Sequence, residues 1–174
     1  MLSFLDRNIL VTGGGSGIGK ATALLLGMQK ASVVIVDQNR ETAHRTVDEL
    51  KQLGCRASAV VADISNPDAV EQMYADTMEN YETLDGIVHC AGIGVERTIL
   101  ETTREEWDRI IAVNLSGTFF CAQGAAKIMA KQRYGRIVLM GSAAGERGGT
   151  GRTAYGASKG GVSAITRVMA VELA

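Results

Sequence analysis

A chain of 174 residues is long enough for one domain with a buried core, and 46% apolar with 21% charged residues is the composition of a soluble globular protein. A net charge of −1 without a basic run excludes the electrostatic footprint of a nucleic-acid binder. No apolar run approaches membrane-spanning length, Met1 to Asn8 lacks a signal-peptide core, and Cys55, Cys90 and Cys121 form no metal pattern, so a cytoplasmic protein with reduced thiols and no metal is expected.

Arg7 to Thr12 reads as a short buried strand around Ile9, Leu10 and Val11. Thr12-Gly13-Gly14-Gly15-Ser16-Gly17-Ile18-Gly19 follows at once, then a helix to Lys30. Glycines between a strand and a helix permit a tight turn and let helix N-terminal N–H groups meet a pyrophosphate. The plainer reading is a glycine-rich structural turn. Glycine is abundant in this chain, 21 residues in all, and clusters at such strand-to-helix turns, which favours close approach of backbone to a ligand.

Ser32 to Val36 is a nearly all β-branched strand that ends on Asp37, 18 residues after Gly19. An acidic residue there bonds adenosine ribose hydroxyls and repels a 2′-phosphate, which favours NAD over NADP; alternatively Asp37 caps the next helix. Arg40 nearby keeps NADP open. Glu41 to Leu53 is a charged amphipathic helix that stops at Gly54. Ala57 to Ala62 forms the third strand, ending on Asp63, which either receives an adenine amino group or caps the following helix. Asn66 as N-cap and Pro67 as first residue open that helix, which runs to about Tyr81.

Leu84 to His89 is the fourth strand, followed by the turn Cys90-Ala91-Gly92. His89 reads as a packed or capping histidine, His44 as solvated, and Cys90 as an unreactive small residue. Thr103 with Glu106 is a capping-box signature that starts one long helix through Trp107 to about Lys131. Trp107 and the methionines are expected as core or interface filler. Arg136 to Met140 is the fifth strand; Ser142 follows it at the carboxyl edge of the sheet, where open α/β sheets bind ligands. A glycine-rich loop to Arg152 leads into the last helix. Strands alternating with helices predict βαβ units and a doubly wound, three-layer parallel α/β sheet in one domain spanning residues 1–174.

That last helix carries Tyr155 and, four residues on, Lys159, so phenol and ammonium share a face. A tyrosine normally titrates near about 10, and a cation beside it favours the phenolate. The pair is a candidate proton-transfer device. Val162, Ile165, Met169 and Leu173 continue the helix as an apolar stripe for the core or for an interface.

Together these residues resemble the short-chain dehydrogenase/reductase family. The matching pieces are Thr12 to Gly19, Ala62-Asp63-Ile64, Val113-Asn114-Leu115, Ser142, and Tyr155-x-x-x-Lys159, with thirteen residues from Ser142 to Tyr155. The Gly-x-x-x-Gly-x-Gly form separates the chain from the extended, epimerase-like branch. The resemblance implies an NAD-dependent oxidoreductase that interconverts a secondary alcohol and a ketone. Tyr155 is then the acid/base, Lys159 holds the nicotinamide ribose and assists the tyrosine, Ser142 bonds the substrate oxygen, and Asn114 holds a water behind Lys159. Gly13, Ser16, Gly17, Ile18, Gly19, Asp37, Asp63, Ile64, Cys90, Ala91, Gly92, Tyr155 and Lys159 are the implied cofactor contacts. The family commonly carries Asn-Asn-Ala-Gly where this chain has His89-Cys90-Ala91-Gly92, and its members continue past the tyrosine helix with two more strands and a substrate-covering loop. A piece of a longer enzyme is therefore expected, a small-molecule substrate is its partner, and a homo-oligomer, a tetramer for the complete chain, its assembly. The alternatives are an inactive nucleotide-binding fragment or scaffold and an NADP-linked carbonyl or 3-oxoacyl reductase.

Overall fold

Five parallel strands form one sheet in the order β3-β2-β1-β4-β5, in a computed structural model that describes residues 3–174. Met1 and Leu2, the start of the stretch read as lacking a signal-peptide core, lie outside the described residues. The strands are β1 (Asn8–Thr12), β2 (Ser32–Asp37), β3 (Ala57–Val61), β4 (Gly86–His89) and β5 (Arg136–Leu139). Between them lie α1 (Gly17–Met28), α2 (Arg40–Gln52), α3 (Pro67–Asn80), α4 (Arg104–Ile111) and α5 (Gly117–Gln132), and α6 (Thr153–Glu172) follows β5.

Alternate strand residues serve opposite layers, as the period of two demands. Ile9, Val11, Val33 and Ile35 pack with Ala23, Ala43, Val47 and Leu50 of α1 and α2. Leu10, Val34, Val36 and Ile87 pack with Val70, Met73 and Tyr74 of α3 and with Cys121, Ala125 and Met129 of α5. This is the doubly wound three-layer arrangement. β1 pairs with β4 on one side and β2 on the other, so the chain reverses its winding direction there and leaves a crevice at the carboxyl ends of those strands.

Local signals act where the sequence placed them. Asn66 caps α3 by accepting from the Asp68 and Ala69 N–H groups, with Pro67 in the first turn. Gly54 takes φ +76 after α2. Thr103 and Glu106 form a reciprocal capping box on α4. The expected single helix from Thr103 to Lys131 is, however, interrupted: Ala112–Ser116 is a π-helical turn between α4 and α5. Trp107 and Met28 are exposed, while Met73 and Met129 are core. The apolar stripe of α6 divides along its length, with Val162 in the core, Ile165 and Met169 half-buried, and Leu173 exposed.

Candidate active site

A cleft of about 630 Å³ lies at the carboxyl ends of β1, β2, β3 and β4. It is lined by Gly13, Ser16, Gly17, Ile18 and Gly19, by Asp37, Asp63 and Ile64, and by Cys90, Ala91 and Gly92, among others. Eleven of the thirteen cofactor contacts expected from the sequence thus border one space; Lys159 lies close to Gly92 on its wall, and Tyr155 does not line it.

The glycine loop is shaped by close approaches. Gly13 has φ +64, and a Cβ there would lie 2.8 Å from the Ala91 nitrogen. A Cβ on Gly19 would overlap the Gly13 carbonyl. Backbone at both points leaves no side chain free to yield. Ser16, the residue before α1, makes no side-chain cap, and the first turn of α1 holds no acidic residue. Its free N–H groups and the positive end of the helix therefore present an anion site to the cleft.

Asp37 stands at the rim, half-buried. One carboxylate oxygen accepts from the Gly15 N–H at 3.0 Å and the other from the Asn39 N–H at 3.0 Å. The helix after it is capped by Asn39 instead, which removes the simple capping reading of Asp37. Asp63 accepts from the Ser65 N–H and hydroxyl, at 2.9 and 2.8 Å, through a single oxygen, while Asn66 caps α3. A dinucleotide fits this set: an uncapped helix end for its pyrophosphate and carboxylates at the far rim for its ribose and base.

The second cluster comes from α6. Lys159 is buried and donates to the Met140 carbonyl at 2.8 Å, with its ammonium 5.9 Å from the Tyr155 ring centre. Burial lowers its ammonium pKa against the opposing influence of Cys90. Cys90 itself is pushed up by burial, more than Lys159 and Thr22 pull it down, which agrees with an unreactive thiol. A methyl group built on Gly92 would sit 3.7 Å from Lys159 Nζ, so the lysine lies close to that residue of the cleft wall.

Ser142 reaches the tyrosine helix through a short turn. Ala143–Gly145 forms a 3₁₀ turn that packs on α6, where a Cβ on Gly145 would lie 2.6 Å from the Gly160 nitrogen and one on Gly156 would lie 2.7 Å from the Ala144 carbonyl. Ser142 Oγ accepts from the Ala144 N–H at 3.2 Å, which leaves its own hydrogen free to donate.

Asn114 sits in the π-turn, fully buried. Its Oδ1 accepts from the Ile93 N–H and its Nδ2 donates to the Ile93 carbonyl, both at 2.8 Å, and Nδ2 also donates to Ser158 Oγ at 3.3 Å. The carboxamide is a clamp between the loop after β4 and α6. Oδ1 keeps a second lone pair, and the main-chain carbonyl, which accepts from Thr118 Oγ1 at 2.6 Å, keeps one as well, so acceptors remain for the water expected behind Lys159.

Sequence reasoning missed Arg109, Gln38 and Ser65, which also line the cleft. Arg109 lies five residues before Asn114 on a charged helix face, and nothing in its spacing separates it from a solvated arginine.

The chain matches the family model for short chain dehydrogenase over residues 7–174. It is 40% identical to (2S)-[(R)-hydroxy(phenyl)methyl]succinyl-CoA dehydrogenase subunit BbsD of Thauera aromatica, over 97% of this chain and 67% of that protein. It is 39% identical to a 3-oxoacyl-[acyl-carrier-protein] reductase of Synechocystis sp., over 100% and 71% respectively. Among solved structures, NAD+-bound xylitol dehydrogenase superposes with a TM-score of 0.95 at 30% identity, covering 98% of this chain and 66% of that one. The chain thus spans about two thirds of the length of the relatives it matches.

Proposed function

The chain belongs to the short-chain dehydrogenase family, and on that premise we propose that it is an NAD(H)-dependent oxidoreductase interconverting a secondary alcohol and a ketone. The observation that carries the proposal is that α6 sets Lys159 beside the Tyr155 ring and close to Gly92 of the dinucleotide-shaped cleft, while the turn that follows Ser142, whose hydroxyl hydrogen is free, packs on the same helix.

The nicotinamide, when bound, gives or takes the hydride. In the reducing direction the Tyr155 phenol donates its proton to the carbonyl oxygen, and the Ser142 hydroxyl donates a hydrogen bond to the same atom as negative charge gathers there. In the oxidising direction the phenolate takes the alcohol proton. Lys159 supplies positive charge beside the phenol and has N–H groups left for a ribose after its bond to Met140. Asn114 keeps the loop after β4 and α6 at a fixed separation. A water relayed to Lys159 would rest on its Oδ1 or its main-chain carbonyl.

The Asp37 carboxylate at the rim supports NAD over NADP, because a 2′-phosphate there would face a like charge. A reading as a 3-oxoacyl reductase draws on the 39% identity to the Synechocystis protein, so a 3-oxoacyl thioester belongs in any substrate panel. Among the described residues no helix is long and apolar enough to cross a membrane. The three free thiols support a reducing, cytoplasmic setting.

The test is the rate of NADH formation with a panel of secondary alcohols, comparing the unaltered chain with Tyr155→Phe. The substitution is expected to lower turnover by about 10²- to 10⁴-fold while NADH binding persists. Equal turnover in the two proteins would reject the assignment of Tyr155.

A further inference from the structure

His89 ends β4 with 1% of its surface exposed, and its Nε2 is the one buried side-chain polar atom without a hydrogen-bond partner among the described residues. A buried polar atom left alone is costly, so its surroundings bear on its purpose. Ile87, two residues earlier on the strand, packs in the layer of α3 and α5. By the alternation of β-strands His89 points to that same side. Lys159 arrives there from α6. Its ammonium donates to the Met140 carbonyl just after β5, and the Met140 N–H donates to the His89 carbonyl at 3.2 Å. Because the ring's Nδ1 is held to Thr12 on β1, Nε2 faces away from β1, toward the side where the charge of Lys159 acts on the imidazole.

The other ring nitrogen has a partner. Nδ1 lies 2.9 Å from Thr12 Oγ1, and that oxygen also accepts from the Ala91 N–H at 3.3 Å. Burial, and then the charge of Lys159, push the imidazole down to about 4, so the ring is neutral and carries one hydrogen. Were that hydrogen on Nε2, a donor would stand in the positive field of the Lys159 ammonium. With the hydrogen on Nδ1, that N–H donates to Thr12 and Nε2 offers a lone pair toward the ammonium.

We propose that His89 Nε2 and the Lys159 ammonium hold an ordered water between them, the ammonium donating to the water oxygen and the water donating to Nε2. His89 is thereby a positioning residue for Lys159. Met140 and the water fix the inner side of the ammonium, and its remaining N–H points toward Gly92 and the cleft. The consequence for proton transfer rests on the role given to Lys159 above; the hydration site does not.

Long-range proton–nitrogen NMR on the ¹⁵N-labelled chain decides the matter without turnover. The expected result is a neutral His89 with its hydrogen on Nδ1 and an Nε2 resonance shifted upfield by an accepted hydrogen bond. Lys159→Met should move that resonance downfield, since the bridging cation is gone. A hydrogen on Nε2, or an Nε2 resonance unmoved by Lys159→Met, overturns the proposal. The unaltered chain alone settles the tautomer should the variant fold poorly. In assays, His89→Leu should slow turnover and His89→Gln, whose amide oxygen can accept, should restore much of it; equal slowing by both would remove the positioning role. If the unaltered chain turns over no alcohol, the oxidoreductase proposal falls while the NMR result still judges the water.

Discussion

His89 also links the site to stability. A histidine held neutral by burial takes no proton in the folded state until the solution approaches pH about 4, whereas an unfolded histidine takes one near 6.5. Above 6.5 both states are neutral and the group adds no pH dependence. Below it the unfolded state alone binds the proton, so stability is lost as pH falls from about 6.5 to about 4. Between about pH 7.5 and about pH 5 the loss should be about 2 kcal/mol, at roughly 1.4 kcal/mol for each unit below the unfolded value. Asp85 does not confuse this window. Burial pushes its carboxyl up, but hydrogen bonds from the Asn8 N–H, Arg7 and Thr83 outweigh that and hold it below the usual carboxylate value, so its contribution goes only in stronger acid. Denaturant melts at the two pH values, repeated with His89→Leu, check the attribution; an unchanged pH dependence in the variant would place it elsewhere. The sequence showed His89 as a packed residue, since it ends an apolar strand. What its second nitrogen faces depends on Lys159, seventy residues away in the chain.

At the scale of elements, helix starts were legible because capping needs only neighbours. Asn66 with Pro67, and Thr103 with Glu106, supply their own hydrogen bonds within one turn. Thr103→Ala removes the oxygen that accepts from the Glu106 N–H at 3.2 Å and should cost about 1 kcal/mol. Thr103→Ser should lose far less, and urea melts of the pair distinguish loss of the cap from general damage. The π-turn was not legible. Ala112 to Ser116 is compatible with an ordinary helix, and the contacts that surround it come from distant segments. A Cβ on Gly117 would lie 2.9 Å from the Ile64 carbonyl, one on Gly161 would lie 2.6 Å from Leu115, and the Asn114 carboxamide is committed to Ile93 and Ser158. Such turns concentrate at functional sites, and this one delivers Asn114 to the junction of two site-bearing segments.

For the whole molecule, the distribution of exposed apolar surface bears on assembly. Trp107 and Phe119 on α4 and α5 are 39% and 42% exposed, and Val168 and Val171 on α6 are 55% and 80% exposed. We expect these helix faces to be covered by further copies of the chain. Sedimentation should then show a multiple of 18.4 kDa, and a single species at 18.4 kDa would refute the expectation. β5 pairs with β4 alone among the described residues, and Val138 in it is half exposed. The sequence by itself determined the strands, the glycine turn, the helix caps and the shared face of Tyr155 and Lys159, because each follows from residues within a few positions of one another. Tertiary structure alone decided the strand order that sets β1 beside β4, the clamp of Asn114 on Ile93 and Ser158, and the approach of Ser142 to α6 across two glycines. It also turned Lys159 inward to Met140. Those contacts join segments far apart in the chain, so they depend on how the βαβ units wind and pack, which no local propensity encodes.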